Sequence, residues 1–173
     1  MPQFEPHKWH SCEKHDNQTC VEGVNCYSYT LNHPEYHWAV PGIGFAHVKR
    51  KIYADSFNAY FQNIPLAEFR EQLTKGAARD GLTKVENPVE QDGYYLTALF
   101  FASDKYDFHW YRKDGNGLWS HKDGWQPPSN KDEQGNLIRD PREAVNSKYP
   151  IFGGFFLVPR TGITLKEDFP LIP

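Results

Sequence analysis

The stretch Asp107-Phe108-His109-Trp110-Tyr111-Arg112-Lys113, the cluster Asp114-Gly115-Asn116-Gly117 and the return Leu118-Trp119-Ser120-His121 read together as a β-hairpin. Side chains alternate along a strand, so Asp107, His109 and Tyr111 share one face. An odd-length loop centred on Gly115 sets His109 and His121 directly opposite each other, with Cβ atoms about 5 Å apart. An even loop, such as a two-residue Asn116-Gly117 turn, sends them to opposite faces. The hairpin therefore carries both a fold signal and a chemical one.

Working outward, Tyr94 to Ala102 is β-rich and almost continuously apolar, as a central strand buried on both faces would be. Ile151 to Val158 supplies another strand, and Phe45 to Ile52 alternates well enough for one more. Between them lies a helical middle. Phe57, Tyr60, Phe61 and Ile64 fall at helical spacing behind the cap candidates Asp55 and Ser56. Pro65 ends that helix and starts another, in which Leu66, Phe69, Leu73 and Ala77 continue the apolar face as far as Gly81. Nearer the start, Asn25 is a plausible N-cap for a helix opening at Cys26 and stopped by Pro34. Helices first and an antiparallel sheet after them indicate an α+β fold in one domain over residues 1–173. Residues 1–24 form a polar, His-rich arm, and residues 122–150 a long polar excursion of the kind that covers or serves a site.

The chain has 173 residues and 20.1 kDa, with 24% charged and 39% apolar side chains, enough for one buried core and too apolar for disorder. Its net charge of −3 gives no general attraction to nucleic acid or anionic membrane. The longest apolar run, Leu96 to Ala102, is too short to cross a bilayer. Met1 to Pro6 lacks the basic start and apolar stretch of a secretory signal. The expectation is synthesis in the cytoplasm, with any action outside depending on a dedicated export system or lysis. Of three cysteines, Cys12 and Cys20 can pair, or stay as thiols in a reducing compartment, and Cys26 is left over.

Cys26 is the residue with a chemical reading. A helix N-terminus favours the thiolate, and its unsatisfied N–H groups can receive the oxyanion formed when sulfur attacks a carbonyl. A buried structural cysteine is the plain alternative. His109 would then be the general base and His121 the residue that orients it.

A cysteine opening a helix in Asn25-Cys26-Tyr27-Ser28, a Pro41-Gly42 turn and a His109-strand-turn-strand-His121 unit resemble the papain-like cysteine hydrolases, most closely their NlpC-type branch of cell-wall peptidases. The resemblance implies an N-terminal helix carrying the nucleophile and packed on an antiparallel sheet, with Cys26, His109 and His121 as nucleophile, base and orienter. It implies cleavage of an amide bond in a peptide or peptidoglycan stem. It also suggests a delivered effector or phage lysin, with an immunity or inhibitor protein as a further partner. No cofactor is called for.

Around that core the candidates widen. Asn25 and Gln18 are the side chains placed to help an oxyanion. Trp110, Trp119, Trp125 and Tyr27 are candidates to line a cleft, although in so aromatic a sheet they equally suit the core. Asp132 and Asp140 rival His121 for the third position. His7, His10, Cys12, His15 and Cys20 match no tight zinc spacing, so no metal site is assigned. His33, His37 and His47 read as packing or surface residues, and Asp140-Pro141-Arg142 as a turn locked by an ion pair. Other reactions open to such a pair are proteolysis, deamidation and acyl transfer. Outside catalysis, the aromatic content would suit a glycan- or protein-binding module.

Overall fold

In a computed structural model, which describes residues 1–9, 23–47, 50–124 and 126–167, the β-rich segments assemble into a five-stranded sheet. Its strands are β3 (Thr83–Val85), β4 (Tyr94–Phe101), β5 (Phe108–Lys113), β6 (Trp119–His121) and β7 (Ile151–Pro159). Every pairing is antiparallel, in the order β3-β7-β4-β5-β6. Strands β1 (Trp38–Val40) and β2 (Gly44–Ala46) form a separate hairpin across Pro41-Gly42. The helices are α1 (Cys26–Thr30), α2 (Arg50–Phe61) and α3 (Leu66–Arg79). The architecture is a mixed α+β one, with the early helix that contains Cys26 packed against the sheet.

The near-continuous apolar run of β4 is explained by cover on both faces. On one face, Tyr95, Leu99 and Phe101 join Tyr27, Phe69, Leu73, Trp110 and Phe156 in a core shared with α1 and α3. On the other, Leu96, Ala98 and Phe100 pack with Tyr111, Trp119 and Phe155, and the excursion 122–150 supplies Ile138 and Tyr149 as their cover. That excursion contains no helix or extended strand among its described residues, only the isolated bridges His121–Ser129 and Lys131–Leu137.

Two local expectations change. The alternation over 45–52 does not form one strand: β2 stops at Ala46 and α2 begins at Arg50. Tyr53, Phe57 and Phe61 recur at helical spacing and pack ring to ring, and that period outweighs the shorter alternation before it. The start of the chain is also more engaged than a polar arm implies. Gly115 N–H donates to Pro2 O at 2.8 Å, and Trp9 meets Tyr29 edge-on at 4.9 Å.

The β5–β6 turn sets the register of the histidines. Asp114 N–H bonds Leu118 O, Gly117 N–H bonds Asp114 O, and Gly117 has φ +80°, which glycine adopts without strain. This is a three-residue loop closed by a left-handed glycine. Its centre is Asn116 rather than Gly115, so His121 lies opposite Tyr111 and diagonally from His109. The loop is odd in length, so both histidines stay on one face.

Candidate active site

Asn25 fixes the head of α1. Its Oδ1 accepts from Ser28 N–H at 3.0 Å, and its Nδ2 donates to Ala39 O at 2.6 Å, so one side chain caps the helix and ties it to β1. Behind α1, Tyr27 donates to Asp80 Oδ2, which also accepts from Gly42 N–H, each at 2.7 Å. The Pro41-Gly42 turn is thereby fastened to the end of α3.

Cys26 meets the sheet at an edge. Residues 108, 110 and 112 turn their backbone groups toward β6, but β6 ends opposite Tyr111, leaving Phe108 and Trp110 without a strand partner on that side. Cys26 takes the place of the missing strand. Its thiol points at Phe108 O at 3.8 Å, while Trp110 N–H faces the sulfur. The nucleophile candidate thus touches both backbone neighbours of His109.

The histidine pair forms a directed chain. His109 Nε2 and His121 Nδ1 are 2.8 Å apart, and His121 Nε2 lies 3.1 Å from Lys131 O. A carbonyl only accepts, so His121 carries its proton on Nε2 and presents the bare Nδ1 to His109. His109 must then donate from Nε2, which leaves its own Nδ1 with a lone pair. Burial holds both imidazoles below the ordinary value of 6.5, His109 the further of the two, so the pair is neutral at neutral pH.

Packing holds these rings on several sides. Tyr149 stacks on His109 at 4.8 Å with 14° between planes, and Tyr111 stands edge-on to it at 5.1 Å. Cys26 and His109 line the same cavity, of about 370 Å³, together with Trp38, Tyr53, Phe57, Asp107 and Tyr149.

The sequence-predicted residues therefore divide. Cys26, His109 and Asn25 border one cavity, and His121 bonds His109 from behind. Asn25 is committed to its cap, to Ala39 and to a longer 3.5 Å contact with Tyr53 Oη, so it is no idle oxyanion donor. Trp110, Trp119 and Tyr27 are not cleft residues. Trp110, next to His109 on β5, turns to the opposite face and is wedged between Tyr27 and Phe156, and Trp119, on the same face as His121, packs on Phe155 in the second core. Gln18, Trp125, Cys12 and Cys20 lie outside the described residues, as do His10 and His15. Asp132 is occupied by the N–H groups of Gln134, Asn136 and Val145, and Asp140 by Arg142. Neither bonds His109. The cysteine pKa also runs opposite to a helix-terminus argument: burial pushes the thiol up, against a smaller downward pull from Trp110 N–H. With five residues, α1 is too short to reverse that.

Sequence missed the cleft's aromatic walls, Trp38, Tyr53 and Tyr149, because each comes from a different element and no periodicity links them. Among the described residues, no group of three His, Cys, Asp or Glu side chains is placed to hold a metal ion. No helix among them is long and apolar enough to cross a membrane.

Over 131 residues, 76% of this chain and 76% of its relative, the sequence is 31% identical to "Insoluble matrix shell protein 1" of Ruditapes philippinarum. No family model matches the chain, and no solved structure matches it.

Proposed function

The chain belongs to the family of insoluble matrix shell protein 1, and we propose that it acts there as a cysteine hydrolase of amide bonds, built on a papain-like, NlpC-type plan. The observation that carries this reading is the directed chain from Lys131 O through His121 to His109. It leaves the Nδ1 lone pair of a neutral imidazole on a residue that shares a cavity with Cys26. A neutral, buried base that opens on the same cavity as a protonated thiol would take its proton only as sulfur attacks.

In this mechanism Cys26 Sγ attacks the substrate carbonyl carbon while its proton passes to His109 Nδ1. The carbonyl oxygen becomes an oxyanion, for which the backbone N–H of Cys26 at the head of α1 is the proposed donor. His109 returns the proton to the leaving amine, the C–N bond breaks, and a thioester remains on Cys26. Water, deprotonated by His109, attacks the thioester and releases the acid with the thiol restored. His121 holds the imidazole in the tautomer that leaves Nδ1 bare. A peptide substrate, with peptidoglycan stems as the first to try, suits a cavity walled by aromatic rings.

The test is the pH dependence of Cys26 alkylation by iodoacetamide in the wild type and in His109→Ala, followed by release of soluble fragments from purified peptidoglycan. Fast alkylation near neutral pH, slowed about a hundredfold or more by the substitution, supports the pair. A thiol that reacts only on unfolding overturns it. The second reading is a non-catalytic matrix or binding module, favoured by the upward-shifted Cys26 thiol and by the name of the relative. The inert-thiol outcome is the one it expects.

A further inference from the structure

Tyr149 closes the excursion 122–150, and it is tied at both ends. Its hydroxyl donates to Asp107 Oδ2 at 3.0 Å, and its backbone N–H to Asn146 Oδ1 at 3.2 Å. Between those anchors its ring lies flat on His109, at 4.8 Å and 14°. Asn146 reaches the second histidine as well. Its Nδ2 donates to Tyr111 Oη at 2.7 Å, and the Tyr111 ring leans over His121 at 4.9 Å. One asparagine therefore steadies the two tyrosines that cover the two imidazoles. The excursion also supplies Lys131 O, which fixes the His121 tautomer.

A hydrogen bond through Nε2 alone leaves an imidazole free to rock about the N···N axis. A parallel aromatic face removes that freedom, because tilting the ring opens a gap on one side and a clash on the other. Tyr149 is itself prevented from swinging by Asp107, which sits two residues before His109 in the chain. The anchor and the anchored base are thus set by the same short segment of backbone.

We propose that Tyr149 is the positioning residue of the His109 base, and that residues 146–149 form a fixed clamp on the histidine pair rather than a lid that opens. This rests on the reading of His109 as the base, but the clamp itself is measurable without any substrate. A positioned base is sensitive to small displacement: about 1 Å costs on the order of a hundredfold in rate.

The experiment records ¹⁵N-imidazole NMR spectra of the full chain as wild type, Tyr149→Phe, Tyr149→Leu and Asp107→Asn, with Cys26 alkylation rates measured on the same samples across pH. The expected result is a single His109 tautomer with Nε2–H in the wild type, kept in Asp107→Asn, whose amide can still pair with the Tyr149 hydroxyl, partly averaged in Tyr149→Phe, and fully averaged in Tyr149→Leu. Alkylation should fall by about a hundredfold in Tyr149→Leu, be intermediate in Tyr149→Phe, and stay close to wild type in Asp107→Asn. The Trp110 indole signal, from the opposite core, reports folding. If Tyr149→Leu does not fold, the comparison of Tyr149→Phe with Asp107→Asn decides, because the clamp requires loss of the hydroxyl in Tyr149→Phe to loosen the tautomer that Asp107→Asn keeps. A His109 tautomer unchanged in the folded Tyr149 substitutions overturns the clamp, whatever the alkylation rate. A slow wild-type thiol with a locked tautomer retains the clamp and removes the hydrolase reading instead.

Discussion

Arg112 donates through Nε to Asp114 Oδ1 at 2.9 Å, and both side chains are wholly buried. Arg112 spends its remaining donors on Tyr29 O, Asn32 Oδ1, Gln3 O and Tyr29 Oη, at 3.0 to 3.1 Å. Asp114 accepts from Ser120 as well, and Ser120 in turn meets Tyr29 Oη. The network joins the end of α1, the start of the chain and the β5–β6 turn, directly behind the histidines.

Removing one partner of such a pair leaves the other charged and buried. Arg112→Ala should cost about 3–5 kcal/mol in urea unfolding. Arg112→Lys should recover only a small part, because an ammonium cannot reproduce the fork of donors.

In the proposed mechanism His121 acts only through its hydrogen bond to His109, so its loss should separate chemistry from binding. His121→Ala should lower the Cys26 alkylation rate by about 10²-fold, with unfolding less affected than rate. His121→Asn, whose carbonyl can still accept from His109 Nε2–H, should recover part of that loss. Equal rates in wild type and His121→Ala would remove His121 from the site.

Stability should fall as the solution is acidified from neutrality, and the sign follows from burial. Both imidazoles are held below 6.5, so as pH drops past that value the unfolded chain takes up protons that the folded chain refuses. The loss is confined to the window between 6.5 and the lowered folded values. Asp107 and Asp114 are raised by burial and act oppositely at lower pH, since there the folded state takes up the proton first. The clean measurement is the change in urea midpoint between about pH 7.5 and about pH 5.5, compared in wild type and His121→Asn. The variant, with one such imidazole fewer, should lose less.

Two glycines should respond differently to the same substitution. A Cβ on Gly76 would sit 2.2 Å from Pro41 O, where α3 presses on the Pro41-Gly42 turn. Gly76→Ala should therefore cost at least about 3 kcal/mol and disturb α1 through Asp80. Gly93 has φ +83° but open space around it, so Gly93→Ala should cost only about 1–2 kcal/mol, the penalty of a left-handed alanine. Thermal unfolding of the two variants checks the difference.

Much of this molecule is legible in its sequence, for reasons that differ by element. The continuous apolar run of β4 and the helical spacing of Phe69, Leu73 and Ala77 are local patterns, and both elements form where the patterns put them. The pairing of His109 with His121 was also within reach, because alternation on a short hairpin constrains faces. Its diagonal register was not, since that depends on whether Gly115 or Gly117 adopts the left-handed conformation. The tryptophans show the other limit. Trp110 is adjacent to His109, so alternation turns it to the opposite face, whereas Trp119 shares the face of His121 but sits toward the turn and packs on Phe155. The cavity walls come from β1, α2 and the end of the excursion, and only tertiary contact brings Trp38, Tyr53 and Tyr149 together.

The distance along the chain between the parts of the site has a consequence for how the protein comes into being. Cys26 meets Phe108 across 82 residues, and Tyr149 meets Asp107 across another 42. The strand that pairs with β4 on its far side, β7, follows later still. Contacts of such long range form late, because the entropy of closing the chain must be met first. A chain emerging from the ribosome therefore carries Cys26 as an ordinary thiol long before β5 arrives to cover it. Shelter for the thiol arrives only with the later strands, so a partly made copy exposes a cysteine that the finished chain buries.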